Sequence, residues 1–321
     1  MISPELLSAS TIAIRDCMGA TDGERILVVT DEPLRRIGYA LHAAAKDLGH
    51  DVLLVEMLPR RSNGEEPPRD VGDLMAKFDV VLCPTSKSLT HTDARRAASA
   101  GGARIATLPG VTEDIMIRCM NADYPRIAER TRALCGLMES TRVIRVQAPA
   151  GTDITLPMTG RRALASTGLF HEKGASGNLP TGEAFLAPLE GQSSGVVVAD
   201  GSMAGIGLLS QPLRIVVREG YAEEITGGPE AARLIALFEP HGRDARTVAE
   251  FGIGTNDRAT LTGIILEDEK VMGTIHIAFG DNKSMGGSVR VASHLDALVK
   301  EPSVWFDDRP VMEKGRFAID L

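Results

Sequence analysis

Arg25-Ile26-Leu27-Val28-Val29-Thr30 is an apolar, β-branched run, and the stretch after it, Leu34 to Leu48, is rich in Ala and Leu and stops at Gly49. The first reads as a buried strand and the second as a helix closed by its C-terminal glycine. The alternation recurs. Val52 to Leu58, Val80 to Pro84 and Arg104 to Leu108 are strand-like, and Asp93 to Ala100 is helical with its stop at Gly101 and Gly102. Strands alternating with helices predict a parallel sheet covered on both faces, so the N-terminal part is expected to be a doubly wound α/β domain. The charged stretch Arg60 to Asp70, with Pro67 and Pro68, reads as a solvated excursion. A helical stretch then runs from Thr112, placed to cap it, to about Ser140, and Pro125 should kink or break it.

After about residue 141 the texture changes to short alternating runs separated by Gly, Pro and Asp, as in Val143 to Gln147, Ile154 to Pro157, Gly195 to Val198 and Leu213 to Arg218. That is an antiparallel β signature, interrupted by one helix, Pro229 to Phe238. With 321 residues to place, two domains are the better expectation: an α/β domain over 1–141 and a β-rich domain over 142–321. Leu261 to Leu266 and Val271 to Phe279 read as a hairpin. The acidic run between them, Glu267-Asp268-Glu269-Lys270, reads as its solvated turn.

The formal net charge of -8 and the lack of any dense Lys/Arg block exclude a nucleic-acid surface. Met1 to Ala20 lacks the basic-then-apolar pattern of a secretory signal, and no apolar run reaches the roughly 18 residues of a membrane span. Cys17, Cys83, Cys119 and Cys135 show no C-x-x-C spacing and read as reduced core residues of a cytoplasmic protein.

The chemistry concentrates in the C-terminal half. In Ser293-His294-Leu295-Asp296 an imidazole and a carboxylate two residues apart point to one face of a strand. That suits a metal ion, or equally a structural hydrogen-bonded pair. His276 stands inside the apolar run Thr274 to Gly280; alone it would read as a satisfied core histidine. Glu250 falls in Thr247-Val248-Ala249-Glu250-Phe251-Gly252-Ile253, where alternation places it on the face of Val248. A buried carboxylate without a partner costs several kcal/mol, so Glu250 needs one. Glu183 leads another apolar segment, Ala184 to Pro188, and poses the same demand. Three carboxylates and two histidines without a thiolate suit Zn, Co, Mn or Fe, with room for one or two ions.

Four segments in this order, Leu179-Pro180-Thr181-Gly182-Glu183-Ala184-Phe185, Ala249 to Asn256, His276 to Gly280 and His294-Leu295-Asp296, resemble the motifs of the thermophilic metallo-aminopeptidases called aminopeptidase T and S. The resemblance implies a hydrolase that removes N-terminal residues from small peptides, with metal ligands at Glu183, Glu250, His276, His294 and Asp296. It also implies Glu183 or Glu250 as the proton-shuttling base, and a homodimer. In that family the histidine strand runs into a tyrosine, whereas here Gly280 to Gly287 has none. A second branch, the non-haem iron 2,5-dihydroxypyridine dioxygenases, resembles this chain in length and N-terminal half. Two of its three iron ligands fall on His294 and Asp296, and the third, a histidine there, falls on Glu250. This branch implies ring cleavage of a small hydroxylated substrate with Fe(II) and O₂. It also implies an acid–base role for His91, at the carboxyl end of the parallel sheet, where such folds bind ligands. His91 reads equally as a cap of the helix starting near Thr92. The expectation is therefore a metallo-aminopeptidase, with the iron dioxygenase as alternative and a non-catalytic metal or small-molecule binder as second alternative.

Overall fold

Every residue of the first strand, Arg25–Asp31, is buried after Arg25, as a strand covered on both faces must be. A computed structural model of the chain describes residues 2–321. It divides into two units, Met1–Arg126 with Thr167–Thr181, and Ile127–Ser166 with Gly182–Leu321. The first holds a parallel sheet in the order Asp51–Met57, Arg25–Asp31, Val80–Cys83, Arg104–Thr107, Ser176–Asn178. On one face Leu27, Val29 and Val81 pack with Val71, Met75 and Ala98 of the helices Arg69–Met75 and Asp93–Ala100. Ile26 and Val28 are buried on the other, where helix Arg35–Asp47 packs against the sheet and against helix Pro4–Ile12.

Thr112 caps helix Glu113–Met120 by accepting from Ile115 N at 3.2 Å. The chain then breaks, and a second helix, Tyr124–Glu139, starts with Asp123 Oδ1 accepting from Arg126 N at 3.1 Å. Pro125 sits in its first turn, where the missing N–H has no intrahelical acceptor to lose.

The second unit has two antiparallel sheets. Seven strands follow the order Gly207–Leu208, Ser202–Met203, His294–Val299, Ile275–Gly280, Val248–Gly254, Glu183–Leu186, Leu164–Ser166. Eight others, from Tyr221–Thr226 to Arg316–Phe317, form the second sheet. Ile144, Val146, Val197 and Ile215 of the eight-stranded sheet share one core with Phe251, Ile253, Ile277 and Phe279 of the seven-stranded one. Mixed α/β architecture, parallel then antiparallel, is what the sequence predicts.

The acidic hairpin is not what forms. Ile265–Asp268 is a short helix and the strand begins only at Ile275. Glu267 and Asp268 are both 0% exposed. Their charges are met by backbone N–H groups rather than by water: Glu267 Oε1 accepts from Thr260 N at 2.9 Å, and Asp268 accepts from Thr262 N at 2.7 Å and Gly263 N at 2.9 Å. Charge-assisted bonds of this kind offset the burial that a solvated-turn reading treats as prohibitive.

All four cysteines are buried. Burial pushes the Cys83 and Cys135 thiols up to about 12, which keeps them protonated and unreactive. No helix among the described residues is long and apolar enough to cross a membrane.

Candidate metal centre

Cross-strand register assembles the site. On one side of Ile275–Gly280, Glu250 pairs with Ala278 and Gly252 with His276; on the other, Asp296 pairs with Ala278 and His294 with Gly280. Glu183 pairs with Gly254 across the next ladder. Residues two apart share a face, so Glu183, Glu250, His276, His294 and Asp296 collect on the side of the sheet opposite its core. Val248 does not share that face with Glu250, contrary to the expectation from strict alternation. A register shift between Val248 and Glu250 adds a residue, so Val248 packs in the core while Glu250 faces the cluster.

Glycine makes room for the imidazole. A methyl group at Gly252 would stand 2.1 Å from His276 Nε2 and 2.2 Å from its Cε1, so the ring lies directly over the bare backbone. At Gly254 the same atom would meet Val271 O at 2.2 Å, which is how the segment carrying Lys270 and Val271 closes onto this strand.

The Glu250 carboxylate lies between the two imidazoles. Its Oε1 is 3.1 Å from His276 Nε2 and its Oε2 is 3.2 Å from His294 Nε2. Asp296 Oδ1 stands 3.4 Å from His294 Nε2. His294 Nδ1 donates to Asp281 O at 2.8 Å, fixing the ring and aiming Nε2 inward. Glu183 Oε2 lies 3.5 Å from His276 Nε2 and has no hydrogen-bond partner among the described residues. The other Glu183 oxygen accepts from Lys270 Nζ at 2.7 Å, and the same ammonium bonds Glu269. Glu183, Glu250, Asp296 and His276 are all under 9% exposed. His294, with its side chain 32% exposed, is the one of the five through which solvent reaches the cluster.

So dense a set of carboxylates holds protons on the imidazoles. Burial works against a charged His276, but the Glu250 hydrogen bond and charge outweigh it and raise the group to about 9. His294 is likewise opposed by burial and raised well above its ordinary value by Asp296 and Glu250. Burial opposes ionisation of Glu250 too, yet the two histidines hold it well below the usual carboxylate range. Burial pushes Glu269 up to about 8. Lys270 is opposed by burial and still raised, by Glu183 and Glu269.

Two groups of donors lie close enough to hold a cation: Glu250, His276 and Asp296, and Glu183, Glu269 and His276, each with its ligand atoms within 4.8 Å of one another. Borderline nitrogen with hard oxygen donors fits a divalent first-row ion, as does the orphaned Glu183 oxygen beside His276. Metal and proton compete for the same imidazole nitrogens. His276 titrates at about 9 and His294 is also raised, so a cation must displace protons at neutral pH. Metal affinity is therefore expected to climb between pH 6 and 8.5, by up to about a hundredfold per unit if both imidazoles release a proton. Isothermal titration with Mn(II) at several pH values reads this directly, and a flat profile would contradict the ligand assignment.

All five residues singled out from the sequence as ligands thus come together. Glu269 and Lys270 were missed, because a run of charges reads as a turn. The available signal was Gly252-Ile253-Gly254, two bare positions on the face of Glu250 that call for something packed over them. His91 belongs to the other unit, exposed in the loop before helix Asp93–Ala100. It does not cap that helix; Thr92 does, its side chain accepting from Arg95 N at 3.2 Å. His171 bonds Asp16 O at 2.8 Å, also in the first unit.

A family model described as NicX: 2,5-dihydroxypyridine 5,6-dioxygenase matches residues 12–319. A protein of that name from Pseudomonas putida KT2440 is 25% identical over 197 residues, 56% of this chain and 55% of the relative. The aligned stretch thus spans about half the length of that relative. The solved structure of 2,5-dihydroxypyridine dioxygenase from the same strain is similar in fold, with a TM-score of 0.85 at 18% identity, over 100% of this chain and 99% of that one. Wild-type AmpT from Thermus thermophilus also shares the fold, with a TM-score of 0.73 at 16% identity, over 98% and 99%.

Proposed function

The chain belongs to the 2,5-dihydroxypyridine 5,6-dioxygenase family, and on that premise we propose that it is an Fe(II)-dependent dioxygenase that opens a hydroxylated pyridine or similar small ring. The observation that supports this best is the pair of imidazoles on the two oxygens of Glu250, with Asp296 beside them. A non-haem iron oxygenase needs two imidazoles and one carboxylate on one face with positions left open. The sequence alone suggested a shortage, because Glu250 stands where the dioxygenases have a histidine. His276 makes up the shortage: it lies 3.1 Å from that carboxylate and offers the second imidazole.

In this reading His276, His294 and one or both of Glu250 and Asp296 hold the ion. Bound Fe(II) supplies the redox chemistry that joins O₂ to the ring. The chain's own part is orientation and proton control. Asp281 fixes the His294 ring, Gly252 leaves space for His276, and Glu250 sets the spacing between them. Half-exposed His294 marks the side from which a substrate reaches the centre. The acid–base role that the resemblance gives His91 belongs to the same proposal.

A hydrolase is the second reading, and the donor group Glu183, Glu269 and His276 favours it by offering a place for a second ion. Against it stand the absence of a tyrosine from Gly280 to Gly287 and the ammonium of Lys270 inside that donor group. An oxygen electrode separates the two. Protein loaded anaerobically with Fe(II) should consume O₂ on addition of 2,5-dihydroxypyridine or a related dihydroxylated ring, and Zn(II)-loaded protein should not. Hydrolysis of amino-acid nitroanilides by the Zn(II) or Co(II) form, with no O₂ uptake by the iron form, would overturn the dioxygenase reading.

A further inference from the structure

We propose that the ammonium of Lys270 takes the place of a second divalent cation, so that the chain holds one metal ion although its donors could take two. This rests on the metal-centre reading above but not on the reaction assigned to it. The two donor groups share His276, and each has two carboxylates of its own: Glu250 with Asp296, and Glu183 with Glu269. Only the second contains a fixed cation. Lys270 Nζ lies 2.7 Å from Glu183 Oε1 and bonds Glu269 as well. Both of that group's carboxylates therefore already bond one ammonium, on a residue that is 2% exposed.

Its position is built in rather than adventitious. Lys270 N donates to Glu267 O at 2.9 Å and Lys270 O accepts from Asn256 N at 2.9 Å. The absence of a side chain at Gly254 lets this backbone close in, with the Lys270 carbonyl carbon 2.7 Å from where a Cβ would stand. Glu267 and Asp268, just before it, are locked by backbone donors.

A divalent ion on Glu183 and Glu269 would have to sit a few ångströms from a buried ammonium, where like charges repel strongly because little water screens them. It would also meet two carboxylates that each already hold the ammonium through one oxygen. Around Glu250, His276 and Asp296 no lysine or arginine intrudes among the polar contacts found in the described residues. One ion there, with Lys270 as the permanent cation next door, leaves His276 to serve the single centre. Lys270 is on this view a positioning residue: it holds Glu183 and Glu269 away from the metal.

The test is metal stoichiometry, with Mn(II) as probe. Wild type, Lys270→Met, Lys270→Gln and Lys270→Arg are compared by equilibrium dialysis and elemental analysis, with circular dichroism to establish folding. Wild type and Lys270→Arg should bind about one equivalent, and the two neutral variants about two, the second more weakly. A single equivalent in folded Lys270→Met and Lys270→Gln would overturn the proposal. So would two equivalents in wild type, a result that decides the matter even if the neutral variants fail to fold. No metal in wild type removes both this inference and the metal-centre reading. One equivalent without O₂ consumption supports this inference while the proposed reaction fails.

Discussion

Replacing Gly252 with alanine should cost the protein its metal. In an ordinary strand the change is mildly stabilising, by about 0.4–1 kcal/mol, because alanine has fewer unfolded conformations to lose. Here the new methyl would stand 2.1 Å from His276 Nε2, well inside contact distance, and the histidine is wholly buried. The imidazole must leave its place between Glu183 and Glu250. Loss of a supporting contact to a metal ligand typically costs 10- to 100-fold in affinity, and displacement of the ligand itself should cost at least about 100-fold, equivalent to about 2.7 kcal/mol. Fold and thermal stability without metal should change far less, since His276 faces away from the core shared by Ile277 and Phe279. Mn(II) titration of Gly252→Ala beside wild type measures this. Unchanged affinity in a folded variant would mean that His276 is not a ligand.

This dependence on a glycine illustrates what the sequence could and could not disclose. His276, His294 and Asp296 were legible because a polar side chain inside an apolar strand is costly and demands a partner, and a strand's period of two says which neighbours share its face. The same period misplaced Val248 relative to Glu250, since a bulge is a property of the paired ladder and leaves no mark on one strand. Lys270 and Glu269 were hidden for a related reason. Their burial depends on the closure of the Lys270 segment over Gly254, a contact between positions distant in the chain, whereas the local pattern of four charges matches any solvated turn. The parallel sheet was legible from its β-branched strands, but its edge strand, Ser176-Gly177-Asn178, has none. It pairs with Arg104–Thr107, and only that non-local ladder makes it a strand. Pro125 and Thr112 were read correctly because helix starts and stops are set by local backbone chemistry.

Glu250→Gln should weaken metal binding more at high pH than at low. The substitution has two opposed effects. It removes a buried negative charge from the ligand cluster, which lowers affinity for a cation at every pH. It also removes the group that does most to hold a proton on His276, by hydrogen bond and by charge, against the opposing effect of burial. In wild type that proton titrates at about 9, so at pH 6.5 an entering ion must displace it, at a cost of about 2.5 logarithmic units, against roughly 0.6 at pH 8.5. Once Glu250 is neutral the imidazole titrates lower and most of this competition disappears. The variant's deficit is therefore partly masked at pH 6.5 and fully visible at pH 8.5, with the gap between the two expected to be about tenfold or more. Linkage gives the same sign for stability. A proton bound more tightly in the folded, metal-free protein stabilises it fully below the usual histidine range near 6.5, and that contribution fades as pH rises through about 9. Glu250→Gln should flatten that decline. Mn(II) titrations of both proteins at pH 6.5 and 8.5, with metal-free unfolding at the same two values, test the pair of effects together. A deficit equal at both pH values would show that Glu250 does not govern the His276 proton, and the arrangement of one carboxylate between two imidazoles would then have to be abandoned.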